Sequence, residues 1–154
     1  MPIEMEFLSP SDKPALLALS TPEYLAAAKA VLVELEYKVH VAANHEEFLT
    51  RFAQVQYQVV ILEEIFAGQT REENLSLDKV QGAPMGQRRH AVVFLIGPNF
   101  QTMNGMQGFR QSVHAVINPA ELGSLKQIVQ QVVADNNLFL HVYRDTQARL
   151  AQGK

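Results

Sequence analysis

Two adjacent carboxylates, Glu63 and Glu64, follow an unbroken aliphatic run over residues 59–62. Such a run of branched and long side chains is typical of a strand covered on both faces in the middle of a parallel sheet. In open α/β sheets, ligands bind in the crevice beyond the carboxyl ends of the strands, where carboxylates can hold a metal ion or handle a phosphoryl group. Residues 57–66 therefore predict a central buried strand that ends at a candidate site.

The composition and net charge of the chain limit the classes of partner that we expect it to bind. The chain has 154 residues, of which 47% are hydrophobic and 19% charged, as expected of one globular domain. A net charge of -3 with only 13 lysines and arginines predicts no binding to nucleic acid. No apolar run approaches the roughly 20 residues that cross a bilayer, and the first residues do not form a signal peptide, so we expect no membrane partner and a cytoplasmic location.

Metal and nucleophile chemistry has little support in the sequence. Without cysteine, thiol catalysis and Cys-ligated zinc are excluded. The five histidines show no HxH, HxxH or HExxH spacing, so we expect them at the surface or at strand edges and predict no metal site. They are His40, His45, His90, His114 and His141. No Ser or His stands in a nucleophile-elbow or triad-like context, and we therefore expect no enzyme and no cofactor.

Short apolar runs alternate with helical patterns along the whole chain. Thr21 can cap a first helix that has Pro22 at its first position, and Asn44 with Glu47 forms a capping box before a second helix. The predicted strands cover residues 15–19, 38–43, 57–66, 91–96 and 113–117. The predicted helices cover residues 24–37 and 44–55, a short piece within 70–80, a Met-containing piece within 102–112, and a last helix from Glu121.

This alternation predicts the fold. Five strands that alternate with five helices argue for a parallel sheet covered on both faces by right-handed crossovers. At this chain length the flavodoxin-like doubly wound sheet, with strand order 2-1-3-4-5, is the natural solution.

The last helical pattern is longer than one domain needs. From Glu121 its periodicity continues to Leu150, which corresponds to about 45 Å of helix. Residues 137–150 are too apolar to lie in water alone. Two alternatives remain open: the segment packs on a second copy or a partner, or the helix kinks at Asp135 and folds back on its own domain.

The order and punctuation of these elements resemble the receiver domain of two-component response regulators over residues 13–134. The resemblance rests on the Pro22-Glu23 helix start, on the third strand ending Val-Ile-Leu-acid, and on Asn118-Pro119 before the last helix. It implies a linker or tail at residues 1–13, a receiver-like domain at 14–134 and a helical extension at 135–154.

The family's phosphorylation residues fall on unsuitable side chains. Its Mg²⁺-binding acidic pair matches Leu19 and Ser20, its phosphoacceptor Asp matches Glu63, its hydroxyl residue matches Ile96 and its Lys matches Asn118. A cage of hard oxygen ligands for Mg²⁺ is absent at these positions. The resemblance therefore implies a degenerate pseudo-receiver. Glu63 is then a remnant, solvated or hydrogen-bonded to Ser20 or Asn118, or it mimics a permanently phosphorylated state.

These observations predict a non-catalytic signalling domain that works through protein–protein contacts and forms a homodimer. The residues we expect to make these contacts are Met103, Met106, Phe109, Phe139, Leu140 and Tyr143. Two alternatives are kept. One is a small-molecule or nucleotide sensor that uses backbone N–H groups of residues 97–99 and 104–108 in the strand-end crevice, and the other is an active phosphoacceptor at Glu63 or Glu64.

Overall fold

The structure, a computed structural model, describes residues 12–66, 74–83, 91–111 and 113–151, apart from the α5 side chains at 139, 140, 142–144, 147 and 151. The strands are β1 (Pro14–Ala18), β2 (Lys38–Val41), β3 (Val59–Glu63), β4 (Val92–Ile96) and β5 (Ala115–Ile117). The helices are α1 (Pro22–Glu34), α2 (His45–Gln54), α3 (Leu75–Gln81), α4 (Gly105–Gln111) and α5 (Leu125–Ala151), with a 3-10 helix (Pro119–Ser124) before α5.

Within these residues the sheet is all parallel, and its strand order is β2-β1-β3-β4-β5. The predicted flavodoxin-like fold is confirmed. The central position of β3 follows from its sequence, because consecutive strand residues point to opposite faces and both faces of this strand are apolar. Val59 and Ile61 pack in the core layer with α1 and α5, whereas Val60 and Leu62 pack in the layer with α2 and α3.

The helix starts show local rules at work. In α2 the amide of Glu47 donates to Asn44 Oδ1 over 2.9 Å, and Glu47 Oε2 accepts from the amide of Ala43 over 2.7 Å. The predicted capping box is thus confirmed, with the glutamate reaching one residue further back than expected. In α1, Thr21 occupies the N-cap position but makes no side-chain capping bond. The prediction that its hydroxyl caps the helix is wrong, and the reason lies in the site described below.

Several sequence-based boundaries differ from the structure. The strand predicted over residues 57–66 is shorter in the structure, where β3 covers Val59–Glu63. Tyr57 and Phe66 lie beyond its two ends and are buried in the core. The Met-containing helix predicted within residues 102–112 begins only at Gly105, and Met103 precedes it with a φ of 62°. Met103 is therefore not on a helical face with Met106 and Phe109. Parts of the predicted helix within 70–80, residues 1–11 of the predicted tail and His90 fall outside the described residues.

His40 lies on an edge strand, one of the two positions expected for a histidine, but its side chain is not at the surface. Although β2 is an edge strand, His40 is only 4% exposed, and its Nδ1 lies 2.7 Å from the hydroxyl of Tyr57. The imidazole is therefore a core residue with a buried polar partner.

The C-terminal helix α5 is continuous over 27 residues, so the alternative in which it kinks at Asp135 is wrong. Its first two turns pack on the domain through Leu125, Ile128, Val129 and Val132. From Asn137 onward every side chain that is described is exposed. Among the described helices, none combines the length and hydropathy that a bilayer-crossing segment requires.

Candidate functional site

The carboxylate of Glu63 lies at the N-terminus of α1. Its Oε1 accepts from the backbone amides of Ser20 and Thr21, each over 2.9 Å, and its Oε2 accepts from the Thr21 hydroxyl over 2.8 Å. The first amides of a helix have no partner within the helix, and its N-terminus carries partial positive charge. A half-buried carboxylate here therefore makes charge-assisted hydrogen bonds to donors that would otherwise need solvent.

Sheet register brings these residues together. In the β1–β3 pair, Ala18 is level with Leu62, so the loop after β1 lies beside the end of β3. The Glu63 side chain extends from the end of β3 to the loop after β1, where it accepts hydrogen bonds from the two amides and from the Thr21 hydroxyl. The Thr21 side chain is turned toward Glu63, to which its hydroxyl donates, and it makes no capping bond to α1. We call this arrangement of Glu63, Ser20 and Thr21 the carboxylate clamp.

Asn118 is engaged elsewhere. Its Nδ2 donates to the carbonyls of Pro98 at 3.2 Å and Phe100 at 2.9 Å, and its Oδ1 accepts from the amide of Ala120 at 2.9 Å. Its own amide donates to Thr102 Oγ1. The side chain therefore ties the loop after β4 to the start of the 3-10 helix. Of the two partners that the sequence suggested for Glu63, the structure shows Ser20 and not Asn118.

Leu19 and Ile96 have their side chains in the core and not at a polar site. Leu19 is 4% exposed and Ile96 is fully buried, and both belong to the same apolar cluster. Ser20 is exposed and contributes its amide to the clamp. Of the five positions that correspond to receiver phosphorylation residues, the structure brings Ser20 and Glu63 into contact. Glu64 follows the last residue of β3, and its amide donates to the Ile96 carbonyl.

Comparison with solved structures identifies this architecture. The chain is similar to the magnesium-bound receiver domain of the sensor histidine kinase PA1611 from Pseudomonas aeruginosa PAO1, with a TM-score of 0.61 and 15% identity over 80% of this chain and 99% of that one. It is also similar to the chemotaxis response regulator CheY4 of Vibrio cholerae, with a TM-score of 0.62 and 15% identity over 79% and 99% of the two chains. A receiver domain protein from Methanospirillum hungatei JF-1 gives a TM-score of 0.63 and 14% identity over 82% and 98%.

The chain has the receiver fold. At this level of identity the likeness establishes the fold alone. No protein-family model matches the sequence, and no curated protein matches it either.

In open α/β sheets the crevice lies beyond the carboxyl ends of the strands, where the clamp lies, and several backbone amides near it already donate within the chain. The amide of Gly97 donates to the Ile117 carbonyl and that of Met103 to the Val116 carbonyl. In the loop before α4, the Gln107 amide donates to Asn104 Oδ1. The described part of the chain contains no group of three or more His, Asp or Glu side chains suited to a metal ion.

Asn74 was missed by the sequence reasoning. This residue is fully buried, and its Nδ2 donates to the carbonyls of Glu63 at 2.9 Å and Glu64 at 3.0 Å, while its Oδ1 accepts from the amide of Leu77 at 3.0 Å. It therefore caps α3 and at the same time fixes the backbone from which Glu63 projects. An Asn before a short apolar helix is a readable capping signal. Its bond to the end of β3 is a tertiary contact that no local pattern contains.

The predicted contact residues differ in what the structure says of them. Met103 is 44% exposed, Met106 62% and Phe109 81%, and we call these three the α4 patch. Phe139, Leu140 and Tyr143 lie in the projecting part of α5, and their side chains are outside the described set.

Proposed function

We propose that this chain is a pseudo-receiver, a non-catalytic signalling domain of the cytoplasm that is not phosphorylated and acts through protein–protein contacts. The observation that carries the proposal is the carboxylate clamp. Glu63 stands where the resemblance places a phosphoacceptor, and its two oxygens are already hydrogen-bonded to the N-terminus of α1.

The rest of the site supports the same conclusion. Mg²⁺ prefers an octahedral set of hard oxygen ligands, and Leu19 supplies none. Ile96 has no hydroxyl to contact a phosphoryl oxygen, and the Asn118 amide carries no charge and is engaged with the neighbouring loop. Each loss removes a separate requirement of phosphoryl transfer, namely metal binding, charge compensation and the reading of the phosphoryl group.

A direct chemical challenge tests the proposal. After incubation with acetyl phosphate and Mg²⁺, the intact mass of the protein is expected to stay unchanged, whereas an active receiver domain treated in parallel gains one phosphoryl group. Titration calorimetry with beryllofluoride and Mg²⁺ is expected to show no binding. Micromolar binding that disappears in Glu63→Gln would overturn the proposal.

The α4 patch is the surface that we propose for an output partner. A side chain as exposed as Phe109 adds little to the fold, and exposed aromatic and methionine side chains are enriched at protein–protein interfaces. We expect Phe109→Ser to leave the melting temperature within about 1 °C of the parent, while the matched variant of the buried Phe100, Phe100→Ser, lowers the free energy of unfolding by about 3 kcal/mol or more.

A pull-down from extracts of the cells that produce this protein tests whether the α4 patch binds a partner. We expect a specific partner to be retained by the wild type and by Glu23→Ala, and to bind Phe109→Ser at least about tenfold more weakly, as is typical when a central aromatic contact is removed. Equal retention by Phe109→Ser would exclude the α4 patch as the contact surface.

The alternative of a nucleotide or small-molecule sensor has less support. The alternative relies on backbone N–H groups of residues 97–99 and 104–108. Four of these groups already donate within the chain, namely those of Gly97, Asn104, Gln107 and Gly108. A thermal shift screen against a nucleotide panel distinguishes the two functions, since a sensor would be stabilised by its ligand.

A further inference from the structure

In the second half of α5, from Asn137 onward, all the side chains that the structure describes are exposed. The helix is 27 residues long, which corresponds to about 40 Å, and the segment from position 137 to 151 accounts for about 22 Å of it. Leu138 is 67% exposed and Leu150 68% exposed. We call residues 137–151 the overhang.

A coiled-coil repeat runs through the whole helix. Its core positions are separated alternately by four and three residues, which is the spacing of a heptad seam. They are Leu125, Val129, Val132, Asn136, Phe139, Tyr143, Thr146 and Leu150. The first three are buried against the chain's own domain, and the helix carries the same stripe onward into the overhang. The overhang thus continues a packing seam after its own domain has ended.

We infer that the overhang pairs with the overhang of a second copy of this chain, and that the two helices run antiparallel. The inference rests on the proposed function, to which it adds a second contact surface, the one between two copies of the chain. Self-pairing is favoured because the charges along the helix are complementary to themselves only in this orientation, as the register shows.

The position of the domain decides the direction. Leu125, Val129 and Val132 place each domain on the seam side of its own helix. In a parallel pair, both domains would have to fit between two helices whose axes are about 10 Å apart. In an antiparallel pair the domains lie at opposite ends, and the unsupported overhangs meet in the middle.

One antiparallel register matches all the polar positions. With Phe139 opposite Tyr143 of the second copy, Asn136 lies opposite Thr146 and the flanking Asp135 lies opposite Arg149. Both charged side chains are exposed, and Arg149 is within 3.1 Å of Asp145 in its own helix, so it is available at the surface to extend this pair into a network. The twofold symmetry makes each contact twice. In a parallel pair, Asp135 and Arg149 would be separated by about 21 Å along the axis.

In this antiparallel pair, the C-terminal turn of each helix lies close to the domain of the other copy. In this register Leu150 of the second copy is level with Val132, at the rim of the domain. A groove of 340 Å³ opens there between α5 and the start of β1, and Lys13, Tyr37, Val133 and Asn137 are among the residues that line it. Val129 and Val133, on either side of this level, also line the groove, so the last turn of the second helix ends close to it.

Site-directed cross-linking tests the direction, and the chain has no cysteine to interfere. Asp135→Cys and Arg149→Cys are both exposed changes, so each variant is expected to fold. When the two variants are mixed and treated with a short bis-maleimide, we expect the mixed covalent dimer, with little dimer from either variant alone. Leu150→Cys alone is expected to remain monomeric on denaturing gels. Efficient self-cross-linking of Leu150→Cys would show a parallel pair and overturn the inference.

A charge exchange gives an independent readout. We expect Asp135→Arg to raise the dimer dissociation constant about tenfold in sedimentation measurements, and the double variant with Arg149→Asp to recover most of the loss. A parallel pair would show no such recovery. A wild type that stays monomeric at high concentration overturns the pairing but leaves the proposed function standing, because that is tested separately by the phosphoryl challenge.

Discussion

Replacing Asn74 with alanine is expected to lower the free energy of unfolding by about 3 kcal/mol. The substitution removes three hydrogen bonds from a fully buried side chain, and each contributes about 1 kcal/mol net. The carbonyls of Glu63 and Glu64 lose a donor, and the first turn of α3 loses its cap. The backbone that presents the clamp carboxylate is thereby loosened as well.

Two further variants separate these contributions in chemical denaturation. Asn44→Ala removes a comparable capping bond, made to the amide of Glu47 in the same helix, and we expect it to cost about 1 kcal/mol. Asn74→Asp keeps an acceptor for the Leu77 amide but loses both donors and sets a carboxylate against two carbonyls, so it should be at least as destabilising as Asn74→Ala. If Asn74→Ala costs no more than Asn44→Ala, the bond to the end of β3 has no energetic role.

The sequence predicts the layered fold well because the relevant signals are local and redundant. The aliphatic run in β3, the Pro22 helix start and the box formed by Asn44 and Glu47 each identify an element without reference to distant residues. Alternation of such elements then leaves few topologies, since parallel crossovers are right-handed. The strand order follows from these restrictions.

The candidate site is less accessible to sequence reasoning because its contacts join distant parts of the chain. Glu63 was recognised as a strand-end carboxylate with Ser20 as one of its suggested partners, but the role of Thr21 was assigned to capping α1. Asn74 was not recognised at all. In both cases a polar side chain with a plausible local partner has a tertiary partner, which becomes visible only when strand ends are brought side by side.

The α4 region shows a different limit. A regular helix over residues 102–112 would have placed Met103 on the same face as Met106, but the chain adopts a positive φ at Met103 and starts the helix at Gly105. The Met103 amide instead donates to the Val116 carbonyl and joins this loop to β5. A single backbone conformation that non-glycine residues rarely adopt is not encoded in hydrophobic periodicity.

For the clamp itself, we expect Glu63→Ala to lower the free energy of unfolding by about 2 kcal/mol. Two amides at the N-terminus of α1 lose a charged acceptor, and such bonds contribute more than neutral ones. The loss is limited because the Thr21 hydroxyl is released, and the extended conformation of Thr21 suits it to cap α1 in place of Glu63. Glu63→Gln keeps the shape and loses the charge, and about 1 kcal/mol is expected for it.

Glu23→Ala is the matched control, since it removes an exposed carboxylate from the first turn of the same helix without a hydrogen bond to the clamp amides. We expect it to cost about 0.3 kcal/mol, the effect of the helix dipole alone. Equal losses for Glu63→Ala and Glu23→Ala in urea denaturation would reduce the clamp to a nonspecific charge effect.

Glu63→Asp distinguishes a clamp from a disabled phosphoacceptor. The shorter side chain withdraws the carboxylate from the amides of Ser20 and Thr21, so the variant should lose nearly as much stability as Glu63→Ala. It should also remain unphosphorylated by acetyl phosphate, because Leu19 still provides no metal ligand. Phosphorylation of Glu63→Asp would mean that one methylene group alone separates this chain from an active receiver. The expected result, a weaker fold with no gain of chemistry, would show that Glu63 now serves to hold β3 against α1.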